Sequence, residues 1–448
     1  MVLRLGDSRW NTNNTIVGTA LPLYYDFFDS LSWQRWLSVP IASDNSADGR
    51  SNACTLSYGD VGPTSTSWWL ETEGLPSLAS TTQDRVMAPC HNSPAGSTLA
   101  ALLRDDKSIA VLRRDGSVHT SISFAGFTGI RGTATGLRQV VSTSGREQFY
   151  VAGIANSAYG VRYLERTTSS TTTRIIGATF HDVNPPRYQP ATLDVRSAVI
   201  YGTQLFIASS YTVEPNVQSD QPGRTPWGGL TRVGAAGQLP NVSTEDATLV
   251  RGFDGKANYW SFVFEQAQSM WALEDSSRYM RAQSAAQLAF EDSYSRLSGV
   301  PRASADTAYS RPVFYRSSLS TTVVKFAWTP GKVQWVEDPS VRVVIRDACY
   351  SMTGRRETST DQQGQVLWKH FVVYTTSRTK LYRVYPHDNS FSVVASAPEG
   401  QLFRGVSLPA YPSATPTPTP SGTPSRSRTR SRLSSRSRSG SKAKPRVL

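Results

Sequence analysis

Short β-forming runs separated by tight-turn sequences recur along most of this chain of 448 residues. In the clearest example, the runs at residues 108–113 and 118–124 flank Arg114-Asp115-Gly116-Ser117. An Asp-Gly pair between two such runs predicts a β-hairpin, because both central residues of the favoured turn take positive φ. A third run at residues 98–103 extends this hairpin into an antiparallel meander.

Comparable meanders start near residues 137, 195, 260 and 341, at a spacing of roughly 40–60 residues. A four-stranded meander repeated at such a period is typical of a β-propeller, whose blades bury their faces by stacking around an axis. A series of two-sheet sandwiches would need linkers, and no linker composition occurs before Pro412. The sequence therefore predicts an all-β fold, a six- or seven-bladed β-propeller over residues 1–411.

The C-terminal tail, residues 412–448, has a different composition. Thr-Pro repeats are followed by Ser alternating with Arg, and such a segment cannot bury enough apolar surface to offset the entropy of ordering it. The tail holds nine of the +13 net charges, so the body is nearly neutral for its size and a basic nucleic-acid groove on it is not indicated. We expect a disordered tail that binds an acidic polymer, polysaccharide or RNA, through Arg426, Arg428, Arg430, Arg432, Arg436 and Arg438.

Three interpretations of this tail stay open. Alternating Arg and Ser is typical of RNA-processing proteins, where it binds phosphates or is phosphorylated on Ser. A Ser/Thr/Pro-rich stalk of a secreted protein, attached to acidic polysaccharide, has a similar composition. The third interpretation is a solvated tail without a specific partner. The Thr-Pro repeat, and the lack of any RNA-binding module in the body, weigh against the RNA interpretation.

Catalytic, metal and cofactor motifs are absent from the sequence. The five histidines, His91, His119, His181, His370 and His387, have no metal-ligand spacing. No nucleophile elbow, phosphate-binding loop or dinucleotide fingerprint occurs. We therefore predict no cofactor, no metal and no catalytic residue. A glycan-active hydrolase or lyase with carboxylates at the central channel stays open as an alternative, without a residue to carry it.

Aromatic residues supply the candidate binding residues of the body. Trp and Tyr on loops commonly stack on sugars or anchor protein partners, although packing between blades is their more frequent role. Neighbouring residues of a strand point to opposite faces, so Trp68 and Trp69 cannot both face inward. Together with Trp227, which precedes two glycines, they are the predicted binding residues.

Three cysteines, Cys54, Cys90 and Cys349, form neither a disulfide framework nor a zinc motif, since no C-x-x-C pair exists. Cys54 and Cys90 could close one loop in an oxidising compartment. Three reduced, half-buried thiols are an equally good interpretation, so cysteine usage does not fix the compartment.

The N-terminal sequence shows no charged start followed by an apolar stretch, so taken literally the chain is intracellular. The alternative is a numbering that begins downstream of a leader. Two N-glycosylation sequons, Asn13-Asn14-Thr15 and Asn241-Val242-Ser243, matter only if the chain is secreted. No run of about 18 apolar residues occurs, so no membrane-spanning helix is predicted.

Several segments follow one another in a characteristic order, and among them are residues 2–7 (Val-Leu-Arg-Leu-Gly-Asp), 21–26 (Leu-Pro-Leu-Tyr-Tyr-Asp), 259–264 (Tyr-Trp-Ser-Phe-Val-Phe) and 403–408 (Phe-Arg-Gly-Val-Ser-Leu). This order resembles a family of uncharacterised secreted β-propeller-like proteins of green algae and related protists, with bacterial relatives. The resemblance implies a propeller outside the cell, a secretory leader upstream of Val2, and a closing segment that pairs with N-terminal strands. It implies no activity.

Together these observations predict a non-enzymatic extracellular or cell-surface propeller that binds glycans or proteins through its loops, with the tail as an electrostatic tether. The main alternative is an intracellular propeller scaffold whose Arg-Ser tail binds RNA or is regulated by phosphorylation. We expect a monomer.

Overall fold

The computed structural model describes residues 1–11, 13, 19–47, 51–57, 79–82, 85–98, 101–102, 105–124, 137–142, 148–153, 161–166, 171–175, 177–180, 195–212, 227–240, 244–249, 259–275, 320–332, 334–360 and 365–408. The chain divides into two compact units, Met1–Ala410 and Tyr411–Leu448. The second unit, and with it the whole predicted tail, lies outside the described residues.

The described residues form 26 strands and one short 3-10 helix, Pro330–Lys332. The strands are β1 (Val2–Leu5), β2 (Ala20–Phe28), β3 (Arg35–Pro40), β4 (Thr55–Ser57), β5 (Ala79–Thr82), β6 (Arg85–His91), β7 (Lys107–Arg113), β8 (Val118–Phe124), β9 (Leu137–Ser142), β10 (Gln148–Gly153), β11 (Val161–Arg166), β12 (Thr171–Ile175), β13 (Gly177–Phe180), β14 (Val195–Tyr201), β15 (Gln204–Thr212), β16 (Trp227–Val233), β17 (Thr244–Leu249), β18 (Tyr259–Gln266), β19 (Ser269–Asp275), β20 (Thr321–Thr329), β21 (Gln334–Ile345), β22 (Ser351–Thr360), β23 (Val366–Thr376), β24 (Lys380–Tyr385), β25 (Ser390–Ser396) and β26 (Leu402–Val406).

These strands form six antiparallel blades, numbered here along the chain. Blade 1 contains β26, β1, β2 and β3, and blade 2 contains β4 to β8, with both β4 and β5 paired to β6. The start of β2 also pairs with β4, so these two blades are joined in one nine-stranded sheet. Blade 3 contains β9 to β12, blade 4 contains β13 to β17, blade 5 contains β18 to β21, and blade 6 contains β22 to β25. One pairing among the described strands is parallel, that of β13 with β17 in blade 4.

Two details of the sequence prediction need correction. Residues 341–345 belong to the outer strand of blade 5, where Val343 lies opposite Val323, and do not begin the last blade. The Asp115-Gly116 turn does connect two strands, but of its two central residues only Gly116 has a positive φ (83°). The Asp115 carboxylate instead accepts hydrogen bonds from the backbone and the hydroxyl of Ser117, which fixes the turn from its side chain.

The run at residues 98–103, predicted as the first strand of that meander, is also different in the structure. The strand that pairs with β7 on this side is β6, in which Ala88 lies opposite Ala110. The backbone N–H of Leu102 donates to Thr98 O at 3.1 Å, four residues back, which is a helical turn. The meander is therefore real, but its first strand lies earlier in the chain than the sequence indicates.

Each blade buries both of its faces against its neighbours. In β10 the side chains alternate: Phe149 and Val151 belong to the apolar cluster shared with blade 2, whereas Tyr150 and Ala152 belong to the cluster shared with blade 4. Six such clusters fill the six junctions between consecutive described blades, including that of blade 6 with blade 1. A closed succession of stacked meanders is the β-propeller fold, so the predicted fold class is confirmed, with six blades among the described residues.

Blade 1 closes the ring because it combines both ends of the described chain. The C-terminal strand β26 pairs antiparallel with β1, which places Leu3 opposite Gly405 and Leu5 opposite Leu402. The closing segment thus pairs with the N-terminal strand, as the sequence led us to expect. Val2, Phe403 and Val406 then pack against blade 6.

A buried ion pair stabilises this closure. Arg4 on β1 is 5% exposed and Asp26 on β2 is fully buried, and the Arg4 Nε donates to Asp26 Oδ2 at 2.5 Å. The same guanidinium donates to Gln401 Oε1 at 2.6 Å and to Ser38 Oγ at 3.0 Å. Arg35 on β3 also contacts Asp26, at 3.2 Å. One carboxylate and one guanidinium therefore connect three strands of blade 1 to the segment that leads into β26.

Replacement of Asp26 by Ala is expected to lower the free energy of unfolding by about 3–5 kcal/mol, because it leaves the Arg4 charge buried without its carboxylate. The exposed Asp44 is the matched control, and Asp44→Ala should change stability by less than about 0.5 kcal/mol. Urea unfolding followed by tryptophan fluorescence measures both. Equal stability of the two variants would contradict the assigned role of the ion pair.

A second polar cluster lies where blade 6 meets blade 1. The carboxylate of Glu357 accepts hydrogen bonds from Tyr374 and Arg383 and one from Arg355 at 3.0 Å, and the Trp33 ring of blade 1 lies 5.5 Å from that of Tyr374. Burial raises the pKa of Glu357, but the hydrogen bond from Tyr374 and the two arginines outweigh it, so this pKa lies below its ordinary value.

The lowered pKa of Glu357 predicts an acid-dependent contribution to stability. Since the folded pKa is lower than the unfolded one, about 4.3, the contribution is complete above that value and is lost as the pH falls through the folded pKa. At neutral pH we expect Glu357→Gln to be about 1–3 kcal/mol less stable than the wild type, and the difference should shrink below about pH 4. Thermal unfolding between neutral and acid pH tests this, with the exposed Glu399→Gln as control. If the stability difference between Glu357→Gln and the wild type does not change with pH, the charge of Glu357 makes no contribution to stability.

Candidate binding site on the ring axis

The innermost strands of the six blades are β26, β5, β9, β14, β18 and β22, and from β5 to β26 each lies next to the innermost strand of the following blade. Side chains on these strands link them: Ala198 N donates to Gln139 Oε1 at 2.5 Å, and Met352 N donates to Ser261 Oγ at 3.4 Å. A third link joins Val406 N to Ser351 Oγ at 3.2 Å. Polar side chains therefore replace apolar ones where the innermost strands of neighbouring blades approach the axis.

Two arginines and one tryptophan converge on this axis. Arg138, Arg196 and Trp260 are each the second residue of an innermost strand, β9, β14 and β18 respectively. The Arg196 guanidinium lies 3.5 Å from the centre of the Trp260 ring and that of Arg138 lies 5.9 Å from it. All three side chains are more than nine-tenths buried. Equivalent positions in three successive blades thus form one cluster, which we call the axial cluster.

The axial cluster combines two kinds of recognition chemistry. A guanidinium carries five donors in a planar arrangement that matches a carboxylate, and it keeps its charge at every pH of interest. Stacking on an indole fixes the orientation of that plane and is favourable by about 0.5–2 kcal/mol. Arg404 on β26 adds a third buried guanidinium on an innermost strand, at 2% exposure. Such a set of side chains is suited to an anionic ligand with a planar charged group.

Strand direction shows from which face of the ring the axial cluster is approached. Consecutive strands of a blade run in opposite directions. Counted from the innermost strand, the second strand therefore ends, and the third begins, on the face of the ring where the innermost strand begins. Arg138, Arg196 and Trp260 are close to the starts of their strands. In blade 1 the corresponding connection is the segment between β1 and β2, of which residues 6–11, 13 and 19 are described. That segment and the axial cluster therefore lie toward the same face.

None of the predicted binding residues has a described side chain. Trp68 and Trp69 lie outside the described residues, as do the six tail arginines from Arg426 to Arg438. Trp227 begins β16 opposite Thr212, and only its backbone is described.

Cys54 and Cys90 are joined by a disulfide, with their Cα atoms 5.1 Å apart. Both are fully buried, in the cluster between blades 1 and 2. The loop of 36 residues that this bond closes contains Trp68 and Trp69 in its sequence.

The sequence does contain a signal for the axial cluster, although prediction from turns and aromatic pairs overlooks it. Residues 137–141 read Leu-Arg-Gln-Val-Val, residues 195–199 read Val-Arg-Ser-Ala-Val, and residues 259–263 read Tyr-Trp-Ser-Phe-Val. Each starts with a buried apolar residue, continues with the axial residue and a buried polar residue (Gln139, Ser197 or Ser261), and then enters the apolar core. Alignment of the predicted meanders at these runs would have placed Arg138, Arg196 and Trp260 at one level of the ring.

Other buried titratable groups serve the core. Burial, followed by the charge of Lys107, lowers the pKa of His91 well below its ordinary value, so the imidazole is neutral at pH 7. Burial also raises the pKa of the Cys349 thiol, followed in effect by the Asp347 charge, which makes this cysteine unreactive. Within the described ranges, no group of three or more His, Cys, Asp or Glu side chains is arranged to hold a metal ion. No helix in that part of the chain has the length and apolar character needed to cross a membrane.

Comparison with known proteins gives structural likeness only. No family model and no curated protein matches the chain. A chain of a Saccharomyces cerevisiae complex of Dbp5 with Nup159, Gle1, IP6 and ADP is similar at 9% identity and a TM-score of 0.27, covering 76% of this chain and 77% of that one. The periplasmic gluconolactonase of Pseudomonas aeruginosa is similar at 12% identity and a TM-score of 0.34 (88% and 82% covered).

A mutant of the Synechocystis apocarotenoid oxygenase is similar at 10% identity and a TM-score of 0.31, with 88% of each chain covered. All three TM-scores are too low to transfer a ligand, a substrate or a site to this chain. The fold therefore stands on its strand pairing and the six clusters between blades.

Loss of the disulfide is expected to destabilise the ring at the junction of blades 1 and 2. Closure of a 36-residue loop is worth about 4 kcal/mol in the chain-entropy description. The double variant Cys54→Ser/Cys90→Ser should lose about this amount in urea unfolding, and dithiothreitol should have the same effect on the wild type but none on the variant. Cys349→Ala, which leaves the disulfide intact, is the control for loss of a thiol. The expectation would be contradicted if dithiothreitol made the thiols of the wild type reactive without lowering its free energy of unfolding.

Proposed function

We propose that this protein is a non-enzymatic, extracellular or cell-surface propeller that binds an acidic glycan at the axial cluster. The observation that carries the proposal is the stacking of the Arg196 guanidinium on Trp260, 3.5 Å away, with Arg138 on the next innermost strand. Trp260 fixes the plane of the Arg196 guanidinium, and arginines bind carboxylates in a bidentate manner, so the pair matches the carboxylate of a uronic acid unit.

The extracellular location is supported by the Cys54–Cys90 disulfide. Disulfides form and persist in secreted proteins and are rare where thiol reductants are abundant. The resemblance to secreted propeller-like proteins points in the same direction, and so does the Thr-Pro composition of the tail.

The tail has a separate role in this proposal. Its six arginines, Arg426 to Arg438, repeat one charge along a Ser-rich sequence, which favours electrostatic contact with a polyanion over recognition of a particular sugar. When the tail holds a polymer chain, the effective concentration of that same chain at the axial cluster rises. A weak axial site is then sufficient to retain the protein on an acidic matrix.

The test uses titration calorimetry of the full chain with oligogalacturonate as acidic probe and a cello-oligosaccharide as neutral probe. Arg196→Gln should weaken oligogalacturonate binding by tenfold or more, about 1.4 kcal/mol, and Arg196→Lys should recover only part because it lacks the planar fork. Arg113→Gln, at an exposed position of blade 2, removes the same charge away from the axis and should leave binding unchanged.

A full-length variant in which Gln replaces the six tail arginines distinguishes binding by the tail from binding at the axial cluster. It should lose most of the salt-dependent binding of long polygalacturonate but keep the binding of short oligogalacturonate. If Arg196→Gln binds the short probe like the wild type, or if the chain binds RNA and neither acidic probe, the axial glycan site is wrong.

A further inference from the structure

We infer that Trp36, on the outer strand of blade 1, is a second carbohydrate-binding position, which stacks on a pyranose ring of a neutral glycan chain. It lies outside the axial cluster, because β26, β1, β2 and β3 follow one another from the axis outward and three strand spacings correspond to about 14 Å. The inference goes beyond the proposed function and holds or fails separately from it, since it uses neither an arginine of the axis nor the tail.

The hairpin formed by β2 and β3 contains two tryptophans with opposite surroundings. Trp33 packs into the junction of blades 1 and 6, with its ring 5.5 Å from that of Tyr374 and the Arg383 guanidinium 5.9 Å from its centre. Trp36 is 64% exposed and belongs to none of the six clusters between the described blades. Packing of the ring therefore accounts for Trp33 and does not account for Trp36.

A β-bulge sets the direction of the Trp36 side chain. Leu37 lies opposite Phe27, and the next pair joins Arg35 to Phe28. Trp36, between them, has no partner on β2. Such an extra residue interrupts the alternation of side chains along a strand and re-aims one of them. The Phe27 ring supports the indole, with the ring centres 5.9 Å apart, and most of the indole faces solvent.

The turn that precedes Trp36 is held by one carboxylate. Asp29 Oδ1 accepts from the backbone N–H groups of Leu31 and Ser32, at 3.0 and 2.7 Å, and from the Ser32 hydroxyl at 2.9 Å. The backbone N–H of Asp29 donates to Gln34 O at 2.9 Å, which closes the turn. The indole is therefore carried by an ordered hairpin before any ligand arrives, and this reduces the entropy cost of binding.

The size of the exposed apolar surface favours a sugar over a protein partner. Trp36 is followed by Leu37, 40% exposed, and Leu31 on the turn is 91% exposed. A tryptophan side chain buries about 150–250 Å². Each partner of a stable protein interface buries about 800 Å². These three side chains, even fully covered, fall short of that area, whereas one pyranose ring matches the face of one indole.

The chemistry of the hairpin matches a neutral sugar. Ser30 and Gln34 on the turn are exposed, and their hydroxyl and amide groups donate to and accept from hydroxyl groups. In β-linked glucose all hydroxyls are equatorial, so both faces of the ring present C–H groups. These groups carry a small positive charge and are attracted to the negative face of an indole. Recognition of this kind needs no fixed charge, which distinguishes Trp36 from the axial cluster.

The experiment measures binding of cellohexaose to the full chain by saturation-transfer NMR and titration calorimetry. We expect Trp36→Ala to weaken this binding about fivefold or more, as the loss of one aromatic contact predicts, and Trp36→Tyr to recover part of it. Phe391→Ala is the matched control, because it removes another exposed aromatic side chain from an outer strand, that of blade 6, and should leave binding unchanged. Thermal unfolding of each variant verifies that the fold is intact.

The outcomes separate this inference from the proposed function. If Trp36→Ala binds cellohexaose like the wild type, or if the wild type does not bind cellohexaose, the inference is wrong, whereas oligogalacturonate binding at the axial cluster is unaffected by either result. Arg196→Gln should bind cellohexaose like the wild type, and a loss in that variant would place the neutral chain at the axis and overturn the inference. Binding of phosphatidylcholine vesicles that depends on Trp36 and Leu31, without binding of cellohexaose, would make this surface a membrane contact instead.

Discussion

The pairing of β26 with β1 is the constraint on which the ring depends. A propeller blade cannot bury both faces alone, so an open succession of six blades would leave one face of the first and one of the last in water. Pairing the two ends of the described chain within one blade makes the backbone hydrogen bonds between β26 and β1 conditional on closure. The Arg4–Asp26 ion pair strengthens this coupling, because Arg4 also holds Gln401, just ahead of the closing strand.

Closure also explains why apolar and polar residues are distributed as they are. Between blades, where flat sheets stack, the side chains are aliphatic and aromatic and alternate along the strands, as in β10. Near the axis the innermost strands converge, and short polar links such as Gln139 to Ala198 take over. A charged residue placed at this level is fixed by strands from two blades at once. The ring therefore pre-organises its axial side chains without using any loop.

Local sequence signals predict the fold but do not reveal the axial cluster, for a physical reason. Hairpin signals such as Asp115-Gly116 are local, and so is the alternation that marks a strand with two buried faces, so strands and blades can be read along the chain. Arg138, Arg196 and Trp260 are separated by more than fifty residues and meet only through the ring. An aromatic pair such as Trp68-Trp69 is recognisable from adjacent residues alone. The axial residues are recognisable only from their equivalent positions in successive blades.

The buried guanidinium groups at the axis bear on the proposed function, because packing alone does not require them. Removing such a charge from water costs several kcal/mol unless hydrogen bonds and aromatic contacts compensate it, and an apolar residue of similar size would avoid this cost. At the equivalent position of blade 6 the chain has Met352, so the fold tolerates an apolar side chain at this level. The propeller fold therefore does not require arginine at these positions of β9 and β14. A positive charge fixed by its neighbours before any ligand arrives binds an anion without further ordering cost, which is what a retention site on an acidic matrix needs.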